Sequence, residues 1–153
     1  MERTFVILKP DAVARGLSDE IIARFERKGL CIVGKKKFKF TKEICEEHYA
    51  HHTSKPFFPK LVDFMCSSEV ICLVLEGKDV VNVVRKLCGA TNSREAEPGT
   101  IRGDYGMSVQ KNLVHASDSL ETAKKEISRF FKPAEIKSCS NCCEHIYTEE
   151  ERK

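Results

Sequence analysis

No stretch of this chain approaches the ~18–20 consecutive apolar residues that a membrane-spanning helix requires. The opening Met1-Glu2-Arg3-Thr4 runs straight into a strand-like segment, without the apolar core of a secretion signal. Charge of one sign is not in excess either. Lys and Arg number 26 against 23 Asp and Glu, and the resulting net charge of +3 is too small for a general nucleic-acid coat, although a local basic pocket is compatible with it. Internal repeats, low-complexity segments and linkers are missing. The motif G-x-x-x-x-G-K-[ST] is absent, which excludes a P-loop protein; G-x-G-x-x-G is absent, which leaves a Rossmann fold and a protein-kinase glycine loop unsupported. Paired aromatic RNP motifs are missing too, which removes the signature of an RNA-recognition fold. Eight cysteines in 153 residues fall short of the ~8–10% of a disulfide scaffold.

What is present fits a soluble globular protein: 41% hydrophobic and 32% charged residues. A length of 153 residues predicts one domain over 1–153, with about 148–153 as a loose charged end. The expected location is cytoplasmic, where thiols stay reduced. Cys31, Cys45, Cys66, Cys72 and Cys88 then read as small core hydrophobes.

Phe5-Val6-Ile7-Leu8 predicts a buried strand that stops at Lys9-Pro10. Ser18 is a candidate cap for a helix burying Ile21, Ile22 and Phe25. A second strand runs from about Cys31 to Phe40, its lysines suited to a sheet edge. Short helices follow from Thr41 to Tyr49 and around Leu61, Val62 and Met65. Val70 to Leu75 reads as a central strand. Asp79 is the expected cap of a helix burying Val80, Val83, Val84 and Leu87. Residues 90–111 show no periodicity and read as a long functional loop. Asn112 to His115 resumes as a strand, and Asp118-Ser119-Leu120-Glu121 opens a last helix with the stripe Leu120, Ala123, Ile127 and Phe130 or Phe131. The order β-α-β-β-α-β, with one short sheet and helices on one face, predicts an α+β, ferredoxin-like sandwich: a four-stranded antiparallel sheet covered by helices.

Chemistry concentrates between Asn112 and Ser119. Period-2 alternation puts His115 and Ser117 on one face of the strand, and the helix that returns over it carries Glu126. A carboxylate bonded to one imidazole nitrogen leaves the other free as a nucleophile. Arg85, Arg102 and Lys9 could add the cations of a polyphosphate site.

The segments Glu2-Arg3-Thr4-Phe5, Lys9-Pro10-Asp11, Glu47-His48-Tyr49, Pro56-Phe57-Phe58, Thr91-Asn92, Pro98 to Asp104 and Asn112 to Ser119 occur in an order that resembles the nucleoside diphosphate kinases, eukaryotic type, from Glu2 to about Tyr147. The resemblance implies a phosphotransferase that moves the γ-phosphate of a nucleoside triphosphate, mainly ATP, to a nucleoside diphosphate. The route is a phosphohistidine intermediate with ping-pong kinetics, and the outcome is balanced nucleotide pools. It implies that His115 is the nucleophile, that Glu126 holds it and that Ser117 supports Glu126. Arg85, Thr91, Arg102 and Tyr49 would bind phosphates, Lys9 and Asn112 the ribose and phosphate side. Phe57 would stack on the base opposite Val109, and Asp118 would reach Mg2+ through water. Stacking tolerates every base, so broad base specificity is expected. The partners implied are nucleoside tri- and diphosphates and copies of this chain, with the tail beyond Pro133 suggesting a hexamer. Nucleic acid would bind at most weakly, through Lys35 to Lys39, and no membrane is expected. The rival reading is a catalytically weakened relative with an assembly or nucleic-acid-binding role.

Two positions depart from the family. Ala116 stands where glycine is usual and would cost roughly 1 kcal/mol if its φ were positive; activity is expected to survive. Ser93 stands where proline is common, and a more flexible loop should weaken assembly. Cys139, Cys142, Cys143 and His145 resemble a zinc site, but one Cys-x-x-Cys without a second pair reads better as a reactive or incidental thiol cluster. His48, His51 and His52 could place two metal ligands at i and i+4, and these histidines are read as structural beside Tyr49.

Overall fold

The structure, a computed structural model, describes residues 1–139 and 142–153. Strands β1 (Glu2–Leu8), β2 (Cys31–Phe38), β3 (Val70–Gly77) and β4 (Val114–Ala116) form one antiparallel sheet in the order β2-β3-β1-β4. Helices α1 (Pro10–Ala14) and α2 (Ser18–Arg27) lie between β1 and β2; α3 (Lys42–His48), a 3-10 turn (Ala50–His52) and α4 (Phe58–Met65) lie between β2 and β3. After β3 come α5 (Val80–Cys88) and α6 (Ile101–Tyr105); after β4 come α7 (Leu120–Phe130), 3-10 turns at Pro133–Glu135 and Cys142–His145, and α8 (Glu149–Arg152). This is the ferredoxin-like α+β arrangement that the sequence suggests.

Helices cover both faces of the sheet, not one. On one side Val6, Leu8, Ile71, Leu73 and Leu75 meet Ile21, Phe25, Val80 and Val84 of α2 and α5. On the other, Phe5, Ile7, Val70, Cys72 and Val74 meet Cys45, Tyr49, Met65 and Phe130 of α3, α4 and α7. The strict alternation follows from the pleat. It also explains why β1 and β3 read as continuous apolar runs: strands buried on both faces need no polar side. The lysine-rich β2 does lie at a sheet edge.

Several local expectations change. The 90–111 loop contains α6, begun by Thr100, whose hydroxyl accepts from Gly103 N at 3.0 Å. The loop is fastened to α2 by an Arg24–Asp104 ion pair of 2.6 Å and a bond from Tyr105 Oη to Glu20 of 3.0 Å. Ser18 is the first residue of α2, not its cap. Asp79, with φ of 48°, makes no cap bond; its carboxylate accepts from Asn82 Nδ2 at 2.7 Å. Ser119, not Asp118, caps α7, accepting from Thr122 N at 3.0 Å. Leu120 faces out, and Glu126 takes a buried place beside Ala123 and Phe130.

Cys31 is not a free core thiol. It forms a disulfide with Cys139 across 108 positions. Cys45, Cys72 and Cys88 are buried free thiols, and Cys66 is half-buried, its Sγ 3.8 Å from that of Cys45. Cys139 is bonded to Cys31, and the side chains of Cys142 and Cys143, on which the tail's thiol cluster also depends, lie outside the described residues. At the C-terminal end Tyr147 Oη accepts from Lys78 N at 3.1 Å, and Thr148 caps α8, whose residues are exposed.

Candidate active site

His115 is the middle residue of β4, opposite Ile7 of β1. It therefore shares a face with Ile7 and Phe5, the face covered by α7 and α3. The strand is held in place from both ends. Lys9 N donates to Leu113 O at 2.8 Å and Ser117 N to Phe5 O at 3.1 Å. Leu113 has φ of 73°, a left-handed backbone that costs about 1–2 kcal/mol in a residue with a Cβ. The turn persists because Leu113 N donates to Asp11 Oδ2 at 3.1 Å and the Leu113 side chain is fully buried. Ala116, by contrast, sits in the ladder without a positive φ, so its methyl adds no backbone strain.

The buried Glu126 reaches up from α7. Its Oε2 lies 2.7 Å from His115 Nε2 and accepts from Ser117 Oγ at 3.3 Å. An ionised carboxylate is an acceptor only, so the imidazole proton belongs on Nε2 and Nδ1 keeps its lone pair. Half-buried at the wall of a cleft, His115 thus keeps an unprotonated ring nitrogen.

The cleft has two communicating parts. The inner cavity, about 340 Å³, is lined by Lys9, Tyr49, Arg85, Thr91, Arg102, Asn112 and His115. The outer cavity, about 450 Å³, shares Lys9, Tyr49, His52, Thr91 and Asn112 and adds Phe57, Leu61 and Val109. Phe57 and Val109 are both half exposed at the mouth, at 46% and 52%. A cationic inner end and an apolar outer end match a molecule that is charged at one end and flat at the other.

Each inner residue has a traceable position. Arg102 of α6 donates Nε, Nη1 and Nη2 to the carbonyls of Asn112, Gly89 and Val114, at 3.1, 2.8 and 2.7 Å. It ties three segments together as a fixed charge and retains two of its five N–H donors. Gly89 can offer its carbonyl there because it has φ of 84°, and a Cβ would collide with Thr100. Asn112 is engaged at both ends of its amide, accepting from Lys9 Nζ at 2.8 Å and donating to Thr91 O at 3.0 Å. Burial, then the charge of Arg102, lowers Lys9 to about 8. Tyr49 is buried with its hydroxyl unpartnered among the described residues, and burial pushes its phenol up, so it stays a donor. Arg85 is exposed on α5, and among the described residues no hydrogen bond or ion pair occupies it. Asp118 lines neither cavity. It is exposed just after β4, held below the usual carboxylate range by the Thr122 hydroxyl first and by Arg85 among others.

Two residues of the site escape sequence reasoning. His52 lines both cavities, 5.2 Å from the Phe57 ring. His48 is buried directly behind His115, ring centroids 4.8 Å apart at 73°. His48 ends α3 and His52 lies in the 3-10 turn that follows, so the two are not an i, i+4 couple on one helix; both rings pack on Tyr49. The only signal was a cluster of histidines beside Tyr49.

Comparison with known proteins shows the family. A family model, "Nucleoside diphosphate kinase", matches residues 2–136. A nucleoside diphosphate kinase of Crocosphaera subtropica is 56% identical over 138 residues, 90% of this chain and 93% of that protein. One of Pyrococcus furiosus is 50% identical over 155 aligned positions, 99% and 96% of the two chains. Among solved structures, a halophilic nucleoside diphosphate kinase from Halobacterium salinarum in complex with CDP superposes with a TM-score of 0.93 at 45% identity, covering 96% of this chain and 99% of that one. The chain belongs to the nucleoside diphosphate kinase family.

Proposed function

We propose that this chain performs its nucleoside diphosphate kinase reaction through His115. Nδ1 attacks the γ-phosphorus of a nucleoside triphosphate, the β–γ bridging bond breaks, and the diphosphate leaves. A second nucleoside diphosphate then takes the phosphoryl group from Nδ1 through its terminal oxygen. The observation that carries this reading is the 2.7 Å bond between His115 Nε2 and the buried Glu126, which fixes the tautomer with Nδ1 open to the cleft. Phosphoryl transfer has a loose, charge-spread transition state, so fixed positive charge and positioning supply most of the acceleration. Lys9, Arg85 and Arg102 are the charges, and the Tyr49 hydroxyl is a ready donor to phosphate oxygen. Asn112 acts by holding Lys9 and Thr91 in register.

At the mouth, Phe57 and Val109 offer faces for a base and no fixed hydrogen-bonding code, which favours acceptance of purines and pyrimidines alike. The CDP carried by the Halobacterium relative is consistent with a nucleotide in the equivalent cleft.

The donor set suits Mg2+. This cation keeps several waters and binds through one or two carboxylates plus substrate phosphates, and the ionised, exposed Asp118 near Arg85 offers one such carboxylate at the rim. When bound, Mg2+ would neutralise phosphate charge. We further propose a hexamer as the working assembly, since the family comes as tetramers or hexamers and a tail that continues beyond Pro133 resembles the hexameric type.

The decisive experiment combines a coupled assay, with ATP and a non-adenine diphosphate, and acid-labile labelling from γ-labelled ATP. The unmodified protein should exchange phosphate and label once per chain; His115→Ala should do neither. Unchanged labelling stoichiometry in His115→Ala would remove His115 as the nucleophile. Absent exchange in the unmodified protein would favour the weakened-relative reading.

A further inference from the structure

Arg129 stands three residues after Glu126 on α7, a spacing at which helical side chains meet. An arginine there is a natural competitor for the carboxylate. A guanidinium–carboxylate pair is charge-assisted and often bidentate, and it would draw Glu126 away from His115. Arg129 points elsewhere. Its Nη1 lies 3.0 Å from His48 Nδ1, and its Nε donates to Glu47 Oε1 at 3.1 Å. Arginine only donates, so Nδ1 is the acceptor and the proton of His48 resides on Nε2.

Of the two acceptors, Glu47 is 64% exposed and its ion pair is accordingly screened by solvent. His48 is the buried one. Its ring is packed edge-on against His115, Tyr49 and Phe130, at 4.8, 4.6 and 5.3 Å between centroids. One ligand atom each from His48, His115 and Glu126 lies within 4.8 Å of the others, so any change in the first is felt at the other two. Burial above all, with the surrounding His115, Arg129, His51 and Lys9 side chains disfavouring a further positive charge, holds this imidazole well below the usual histidine range and so neutral. A neutral acceptor can hold a guanidinium next to the nucleophile without adding a charge of its own.

We propose that His48 is a positioning residue for phosphoryl transfer: it takes up the Arg129 guanidinium as a neutral acceptor and so reserves the Glu126 carboxylate for His115. The inference rests on the reading of His115 as nucleophile. Glu126 bonds His115 and Ser117, Arg129 bonds His48, and the two pairs meet at the His48–His115 ring contact, where His48 Nε2 is buried without a hydrogen-bond partner among the described residues.

The test compares His48→Leu, Arg129→Leu and the double variant with the unmodified full chain. His48→Leu should slow formation of the phosphoenzyme about tenfold or more, with the nucleotide KM within about twofold, because the loss is in the nucleophile's setting and not in substrate binding. Removing Arg129 as well should restore the rate to within about threefold of the unmodified protein, a coupling that a simple packing defect would not produce. His48→Asn, whose amide oxygen can replace Nδ1 as acceptor, should also stay within about threefold. Imidazole ¹⁵N NMR of the unmodified protein supplies a readout that needs neither a variant nor phosphate. His48 should carry its proton on Nε2 only, and His115 likewise. A proton on His48 Nδ1, or a double variant as slow as His48→Leu, overturns the proposal. If His115→Ala still labels, the nucleophile assignment falls, while the NMR tautomers and the double-variant comparison still judge His48 separately.

Discussion

Lys9 is the residue whose proton should report nucleotide binding. Its ammonium is buried beside Arg102, which together bring it to about 8 in the folded chain, from 10.5 when free. The folded value is the lower one, so the unfolded chain holds more protons between about pH 8 and 10.5, and this group's penalty on stability is relieved as pH rises through that window. A polyphosphate reverses the bias, because it favours the charged amine. Binding of a nucleoside diphosphate at pH 8 should therefore take up about half a proton, and affinity should weaken as pH climbs past 8. Calorimetry in buffers of different ionisation enthalpy measures this directly. Lys9→Arg, always charged, should bind with no such uptake; uptake that persists in Lys9→Arg would assign the proton to another group. Residue-scale chemistry also answers the concern raised by Ala116. The unusual backbone of this segment sits at Leu113, three positions earlier, and the methyl beside His115 lies in an ordinary strand.

At the scale of elements, α7 does more than cover the sheet. It presents Glu126 to His115 and Arg129 to His48, so its start fixes the register of both. Ser119 caps it, with the hydroxyl accepting from Thr122 N at 3.0 Å. Ser119→Ala should cost about 1 kcal/mol of stability, the typical price of a lost cap, seen as a lower urea midpoint with an unchanged m-value. An unchanged midpoint would show that the cap contributes nothing here. The Asp118-x-x-Glu121 spacing announced that a helix begins, but which of two adjacent side chains reaches the free N–H depends on backbone angles, and Ser119 adopts the extended ones. Similarly, α1 and α6 are five residues each and complete too few turns to print a period in the sequence. They become visible only because Arg24 and Asp11 bind them to distant segments.

At the scale of the whole molecule, the assembly is the open quantity with the plainest measurement. Light scattering at micromolar concentration should give six times the 17.4 kDa chain mass; a mass near that of two chains would overturn the hexamer. By itself, the sequence determined the class of fold, the order of its four strands and of the longer helices between them, and the residues proposed as nucleophile and orienting carboxylate. Alternating apolar runs specify which faces are buried, and the family's motifs in their order single out His115, Glu126 and the cations as the candidates. Tertiary structure alone decided the rest, because it depends on contacts between residues far apart in the chain. The second layer of helices exists because β1 and β3 expose apolar side chains on both sides. The disulfide joins Cys31 to Cys139, 108 positions later, through proximity that no spacing rule could reveal. The place of His48 behind His115 follows from α3 and α7 meeting over one face of the sheet, where a histidine that looks incidental in the sequence becomes the buried acceptor of Arg129.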